Sequence, residues 1–76
     1  MKELIEYIVK NLVDNPDGVD VKQIEHEKTL ILEVRVSPPD VGKVIGRQGR
    51  TVNAIRTILS AAATRASKRA VLDVID

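Results

Sequence analysis

Aromatic side chains are almost missing from this sequence. Tyr7 stands alone among 76 residues, with no Phe and no Trp. That excludes the common mode of single-strand binding, in which successive bases stack on aromatic platforms. Any nucleic acid has to be held through backbone and aliphatic contacts instead. Cysteine is absent, so no disulfide braces the fold and no thiolate metal site is available. This usage fits a reducing cytosol. No apolar run approaches the roughly 18–20 residues of a membrane span. The opening MKELIEYIVKNL is broken by charge every few residues and lacks the continuous apolar segment of a secretory signal. A soluble, cytoplasmic protein with no membrane partner is the expectation.

One further absence is local. No Asp or Glu occurs from Val41 to Leu72, and the overall net charge of +1 hides this. Residues 1–40 carry five basic and nine acidic side chains, whereas residues 41–76 carry seven basic and two acidic. The basic set is Lys43, Arg47, Arg50, Arg56, Arg65, Lys68 and Arg69. Such asymmetry suggests one face built for an anion. A solvated helix face that happens to be basic is the bland alternative. The exclusion of acids across a glycine-rich stretch weighs against it.

Seventy-six residues make one domain, residues 1–76, with a thin core: a chain this short buries only about 60% of its unfolded surface. Residues 1–14 place Leu4, Ile5, Ile8, Val9, Leu12 and Val13 at helical spacing, which predicts an amphipathic helix. NPDG, residues 15–18, stops it. Residues 19–36 predict two strands joined by a turn near residues 26–29, paired as an antiparallel hairpin. Leu30, Leu32, Val34 and Val36 alternate with Ile31, Glu33 and Arg35, so one face is covered and the other open. In the first strand Ile24 breaks the alternation, which a bulge would accommodate. A short helix follows over residues 37–45, with Ser37 as cap, Pro38 at its first position and Asp40 complementing its dipole. Residues 50–67 form a second helix with Val52, Ile55, Leu59, Ala62 and Ala66 as its core stripe. Residues 69–75 close the chain as a strand with Ala70, Leu72 and Val74 on one face. The order α-β-β-α-α-β defines an α+β fold, a three-stranded sheet covered on one face by three helices.

Between the last two helices lies Gly46-Arg47-Gln48-Gly49, with almost no other connection. Glycine permits positive φ and leaves no Cβ in the way of a ligand, and the following helix aims free N–H groups at the gap. A tight turn that needs glycine for geometry alone explains Gly46 and Gly49, but not the polar pair they bracket. A nucleotide-binding loop does not fit. The P-loop pattern and the dinucleotide fingerprint require other spacings, and the fingerprint follows a strand. VIGRQG, residues 44–49, resembles the signature of the KH domain, an aliphatic pair leading into a G-x-x-G loop that clamps about four nucleotides of backbone. The longer DVGKVIGRQGRTVNAIR, residues 40–56, makes that resemblance specific. A helix and two strands precede the motif and one strand follows it, the arrangement of the bacterial-type, or type II, KH domain. End to end, the chain is similar to small bacterial single-KH-domain proteins of the KhpA type.

The resemblance implies an RNA-binding, RNA-chaperone-like protein without enzymatic activity. It further implies a homodimer, or a pairing with a larger KH-containing protein of the KhpB (Jag-like) type. On this reading Gly46 and Gly49 let the strand approach, and the amides of Arg47, Gln48 and Gly49 donate to phosphate. Lys43, Arg47 and Arg50 add charge. Val44, Ile45, Leu32 and Val34 are expected to floor a groove for the bases, with at least one of Val44 and Ile45 in the core. Ala54, Ile58 and Ala61 form a second face on the long helix suited to close packing against a partner, and Val71 and Ile75 are an alternative. Tyr7 is expected to pack at the edge of the first helix with its hydroxyl in water, and His26 in an exposed turn. No nucleophile–base pair, metal-ligand set or cofactor motif is visible, so no catalysis, cofactor or small-molecule substrate is expected. A protein adaptor, or a ribosome-assembly module, is the alternative function.

Overall fold

The computed structural model of the chain describes residues 1–75. The elements follow the expected order: helix α1 (Lys2–Lys10), strands β1 (Asp20–His26) and β2 (Thr29–Arg35), helices α2 (Val41–Ile45) and α3 (Arg50–Arg65), and strand β3 (Arg69–Ile75). Short 3₁₀ turns at Pro16–Gly18, Pro38–Asp40 and Arg47–Gly49 join them. β2 is the central strand, antiparallel to β1 and parallel to β3. A parallel pair needs a crossover, and α2 with α3 supplies it.

Period-two burial along β2 sends Leu30, Leu32 and Val34 inward and Arg35 outward. The inward set, with Val21 and Leu72, meets Ile5 and Val9 of α1, Val44 of α2 and Val52, Ile55 and Leu59 of α3. Each fully buried aliphatic side chain contributes about 1.5–3 kcal/mol. The three helices share this one face, and the other face of the sheet stays open.

Several details differ from the sequence expectation. α1 stops at Lys10 rather than near residue 14, and at its end Asn11 Nδ2 donates to the Tyr7 carbonyl at 2.7 Å. Tyr7 is 69% exposed and projects into solvent rather than packing. The hairpin register runs unbroken from Asp20↔Arg35 to His26↔Thr29, so there is no bulge. Ile24 instead lies opposite Ile31, which pairs in turn with Val71. These three β-branched side chains form one cross-strand row on the open face. Along α3 the buried stripe is Val52, Ile55, Leu59 and Ala63. Ala62 is only half-buried, and Ala66 lies past the helix end and is exposed. Ser37 and Asp40 make no capping hydrogen bonds. Ser37 Oγ accepts from Asn15 Nδ2, and the Asp40 carboxylate faces the amides of Asp14 and Asn15.

Candidate nucleic-acid interface

α2 ends where Gly46 takes φ 77°, ψ 172°, a backbone state that is essentially glycine-only. A Cβ there would also run into Thr51 Oγ1. Gly49, at φ 74°, ψ 12°, is in the left-handed region and starts α3. Gln48 between them is left-handed too, at φ 57°, ψ 26°. The chain thus reverses between two helices within three residues, held by Gly49 N–H to the Gly46 carbonyl at 3.1 Å and Arg50 N–H to the Arg47 carbonyl.

These bonds decide which amides are available. The sequence reading used Arg47, Gln48 and Gly49 as donors. The Gly49 amide is already spent on Gly46. The amides of Arg47 and Gln48 open the 3₁₀ turn, positions for which the turn itself offers no acceptor. Beside them the side chains of Arg47, Gln48 and Arg50 are exposed.

The basic residues divide in two. Lys43 donates to Asp14 Oδ2 at 2.8 Å and sits 3.9 Å from Asp40 Oδ1. The Asp14 hydrogen bond, followed by its charge, raises the Lys43 pKa above its usual 10.5. Lys68 is paired with Glu25. The arginines at 47, 50, 56, 65 and 69 have no carboxylate within ion-pair distance among the described residues. Among the described residues the unpaired charge of this half is therefore arginine, while the two lysines tie the basic half to the acidic half.

Val44 is fully buried, so its side chain has no surface to offer a ligand, whereas Ile45 is 37% exposed next to the loop. Leu32 and Val34 are fully buried in the central strand and cannot floor an open groove, because β3 lies between them and the sheet edge. A cleft lies one strand further out. Arg56, Leu59 and Ser60 of α3 face Arg69–Asp73 of β3 across a cleft of about 400 Å³. Of its apolar lining, Leu59 and Leu72 are buried and Ala70 is half-buried. Arg56 bridges it, donating to the Leu72 carbonyl at 3.4 Å and to Asn53 Oδ1 at 3.3 Å. Sequence reading counted Arg56 only as one basic residue among seven. The usable signal was the polar line Asn53, Arg56, Ser60, which runs beside the core stripe Val52, Ile55, Leu59. Ala54, Ile58 and Ala61 lie on the outer side of α3, all exposed, with Ile58 at 45%.

Comparison with known proteins gives the family of the chain. The family described as "KhpA/KhpB, KH domain" matches residues 2–74. The chain is 52% identical over 75 residues to the RNA-binding protein KhpA of Clostridium perfringens, covering 99% of this chain and 100% of that one. It is 55% identical over 74 residues to RNA-binding protein KhpA of Borreliella burgdorferi, covering 97% and 90%. For RNA-binding protein KhpA of Aquifex aeolicus the identity is 49% over 76 residues, covering 100% and 96%. No solved structure matches the chain.

Proposed function

We infer the function of this chain from the KhpA/KhpB KH-domain family, to which it belongs, and from its loop: it binds single-stranded RNA by clamping the phosphodiester backbone across Gly46-Arg47-Gln48-Gly49. The observation that carries this reading is the loop geometry: Gly46, left-handed Gln48 and Gly49 reverse the chain and put the amides of Arg47 and Gln48 at the start of its turn. They sit beside guanidinium groups that form no ion pair among the described residues. Amides and guanidiniums of this kind suit a phosphate oxygen. Ile45 and the α3–β3 groove receive the bases edge-on, with Arg56 at the rim. Lys43 contributes long-range charge at most, since Asp14 already holds its ammonium.

No aromatic platform adds stacking energy, so one domain binds weakly, at about micromolar affinity or about −8 kcal/mol. Joining two sites raises such affinities without new contacts. The protein therefore works as a homodimer through Ala54, Ile58 and Ala61, or beside a larger KhpB/Jag-like partner. Small residues flanking Ile58 let a second helix approach closely. The role is that of a cytoplasmic, RNA-chaperone-like binding protein and not of an enzyme.

The test is a titration of a short fluorescent single-stranded RNA at two salt concentrations. Wild type is compared with Arg47→Asp/Gln48→Asp, with the fold of both verified by circular dichroism. Wild type is expected to bind with a log–log salt slope of roughly −2, from two to three neutralised phosphates at about 0.7 each. The variant loses at least about tenfold, the scale of a charge-assisted hydrogen bond. Equal binding by both places RNA on another surface. Binding by neither makes the domain an adaptor or one half of a two-protein site.

A further inference from the structure

Helix α2 has five residues, a length of about 7.5 Å. A helix this short cannot hold itself together, yet it carries the clamp at its C-terminal end. Its direction has to be set from outside. Val44 anchors its middle in the core, and Thr51 fills the space beside Gly46 at its end. The third fastening, at its start, is polar.

Asp40 is 2% exposed, and both carboxylate oxygens are occupied by the segment that leaves α1. Oδ1 accepts the Asp14 N–H at 3.2 Å, and Oδ2 accepts the Asn15 N–H at 3.1 Å. Asn15 Nδ2 donates to Ser37 Oγ at 2.8 Å, and Lys43 reaches Asp14 from inside α2. A buried carboxylate is costly unless fully hydrogen-bonded, and a chain this small has little core to offset it. An apolar side chain would also hold α2 down, but apolar contact is non-directional and allows sliding. Two bonds to consecutive amides fix both position and rotation.

We propose that Asp40 is a positioning residue of the RNA clamp. By gripping the amides of Asp14 and Asn15 it sets the direction of α2, and through it the Gly46–Gly49 loop, without touching RNA. This rests on the clamp reading given above. It also makes a prediction of unusual sign. Asp40 is an anion beside an anion-binding loop, so its charge alone weakens RNA binding, and removing that charge alone would tighten it. Removing a positioning contact loosens it.

The experiment measures RNA affinity and amide hydrogen exchange for wild type, Asp40→Asn and Asp14→Asn, at a temperature where all are fully folded. Asp40→Asn keeps the shape but turns one acceptor into a donor facing an amide. It is expected to bind about five- to tenfold more weakly, the effect of losing one directed bond. The bonded loop amides of Gly46 and Gly49 are expected to exchange faster. Asp14→Asn removes an equal charge from an exposed position and with it the Lys43 ion pair, but leaves the Asp40 bonds intact; the released Lys43 adds positive charge, so it is expected to bind as wild type or more tightly. If Asp40→Asn binds as tightly as wild type or better, Asp40 acts as local charge or plain core and the inference is overturned. If wild type itself binds no RNA, the clamp reading fails, and exchange at Gly46 and Gly49 decides alone: faster in Asp40→Asn supports the tie, unchanged overturns it. Should Asp40→Asn not fold, Asn15→Ala deletes only the bond to Ser37. About twofold weaker binding with faster loop exchange then supports the proposal, and unchanged values overturn it.

Discussion

At the residue scale, the two glycines of the loop do different work. Gly46 is required twice, by its extended positive-φ conformation and by Thr51, which occupies the space a Cβ would fill. Gly49 is required only by φ, since a Cβ there meets nothing nearer than Asn53 Nδ2 at 3.7 Å. Asparagine tolerates the left-handed region but not the state of Gly46. Gly49→Asn is therefore expected to fold with a loss of about 1 kcal/mol or less. Gly46→Asn should lose about 3 kcal/mol or more, from strain of about 1–3 kcal/mol plus the clash. Urea unfolding of both variants measures the difference; equal losses contradict this account. The sequence marks both positions as glycine and cannot separate them, because the separating contact comes from a side chain on the next helix.

At the element scale, the end of α3 is the most informative. Lys68 N–H reaches the Ala63 carbonyl at 2.8 Å and Ser67 N–H the Thr64 carbonyl at 3.0 Å. This is the paired bonding of a Schellman ending, whose left-handed residue is usually glycine. Here it is Ser67, exposed, at φ 58°. Ser67→Gly is expected to stabilise the protein by about 0.5–1 kcal/mol, seen as a higher thermal midpoint with RNA affinity unchanged. A fall in the midpoint rejects this. The same ending explains why the core stripe passes through Ala63 rather than Ala62 and Ala66: the helix stops before Ala66 can turn inward. In β1 the hydropathy pattern and the backbone part company. Ile24 looks like an irregularity in one strand, but it is the end of a row whose other members are Ile31 and Val71. Only pairing across the sheet makes that row visible.

At the scale of the whole molecule, the charge asymmetry along the chain becomes a division of labour. Lys43 and Lys68 join the basic half to Asp14 and Glu25 of the acidic half. The arginines at 47, 50, 56, 65 and 69 form no ion pair among the described residues. On the proposed reading, the outer side of α3 is the assembly face. Ile58→Lys is expected to convert a homodimer to monomer in sedimentation velocity at tens of micromolar. It should also lower affinity for an RNA long enough to span two sites by about tenfold or more, while binding to a short RNA changes little. A wild type that is monomeric, or a variant that stays dimeric, removes this face from the assembly.

Much of this protein is determined by the sequence by itself. Period-3.6 and period-2 patterns set the helices and strands, the position of G-x-x-G between two helices sets the family, and the missing acids locate the charged half. These are local properties, and each is carried by residues close together in the chain. Tertiary structure alone decided the rest. It put β3 rather than β2 beside the groove, retired Val44, Leu32 and Val34 into the core, and engaged Lys43 with a residue 29 positions away. It also turned Asp40 from a helix-dipole partner into a tie between distant segments. The reason is physical: hydrogen bonds and ion pairs act over a few ångströms of space whatever the separation along the chain, and only the folded packing sets which groups come that close.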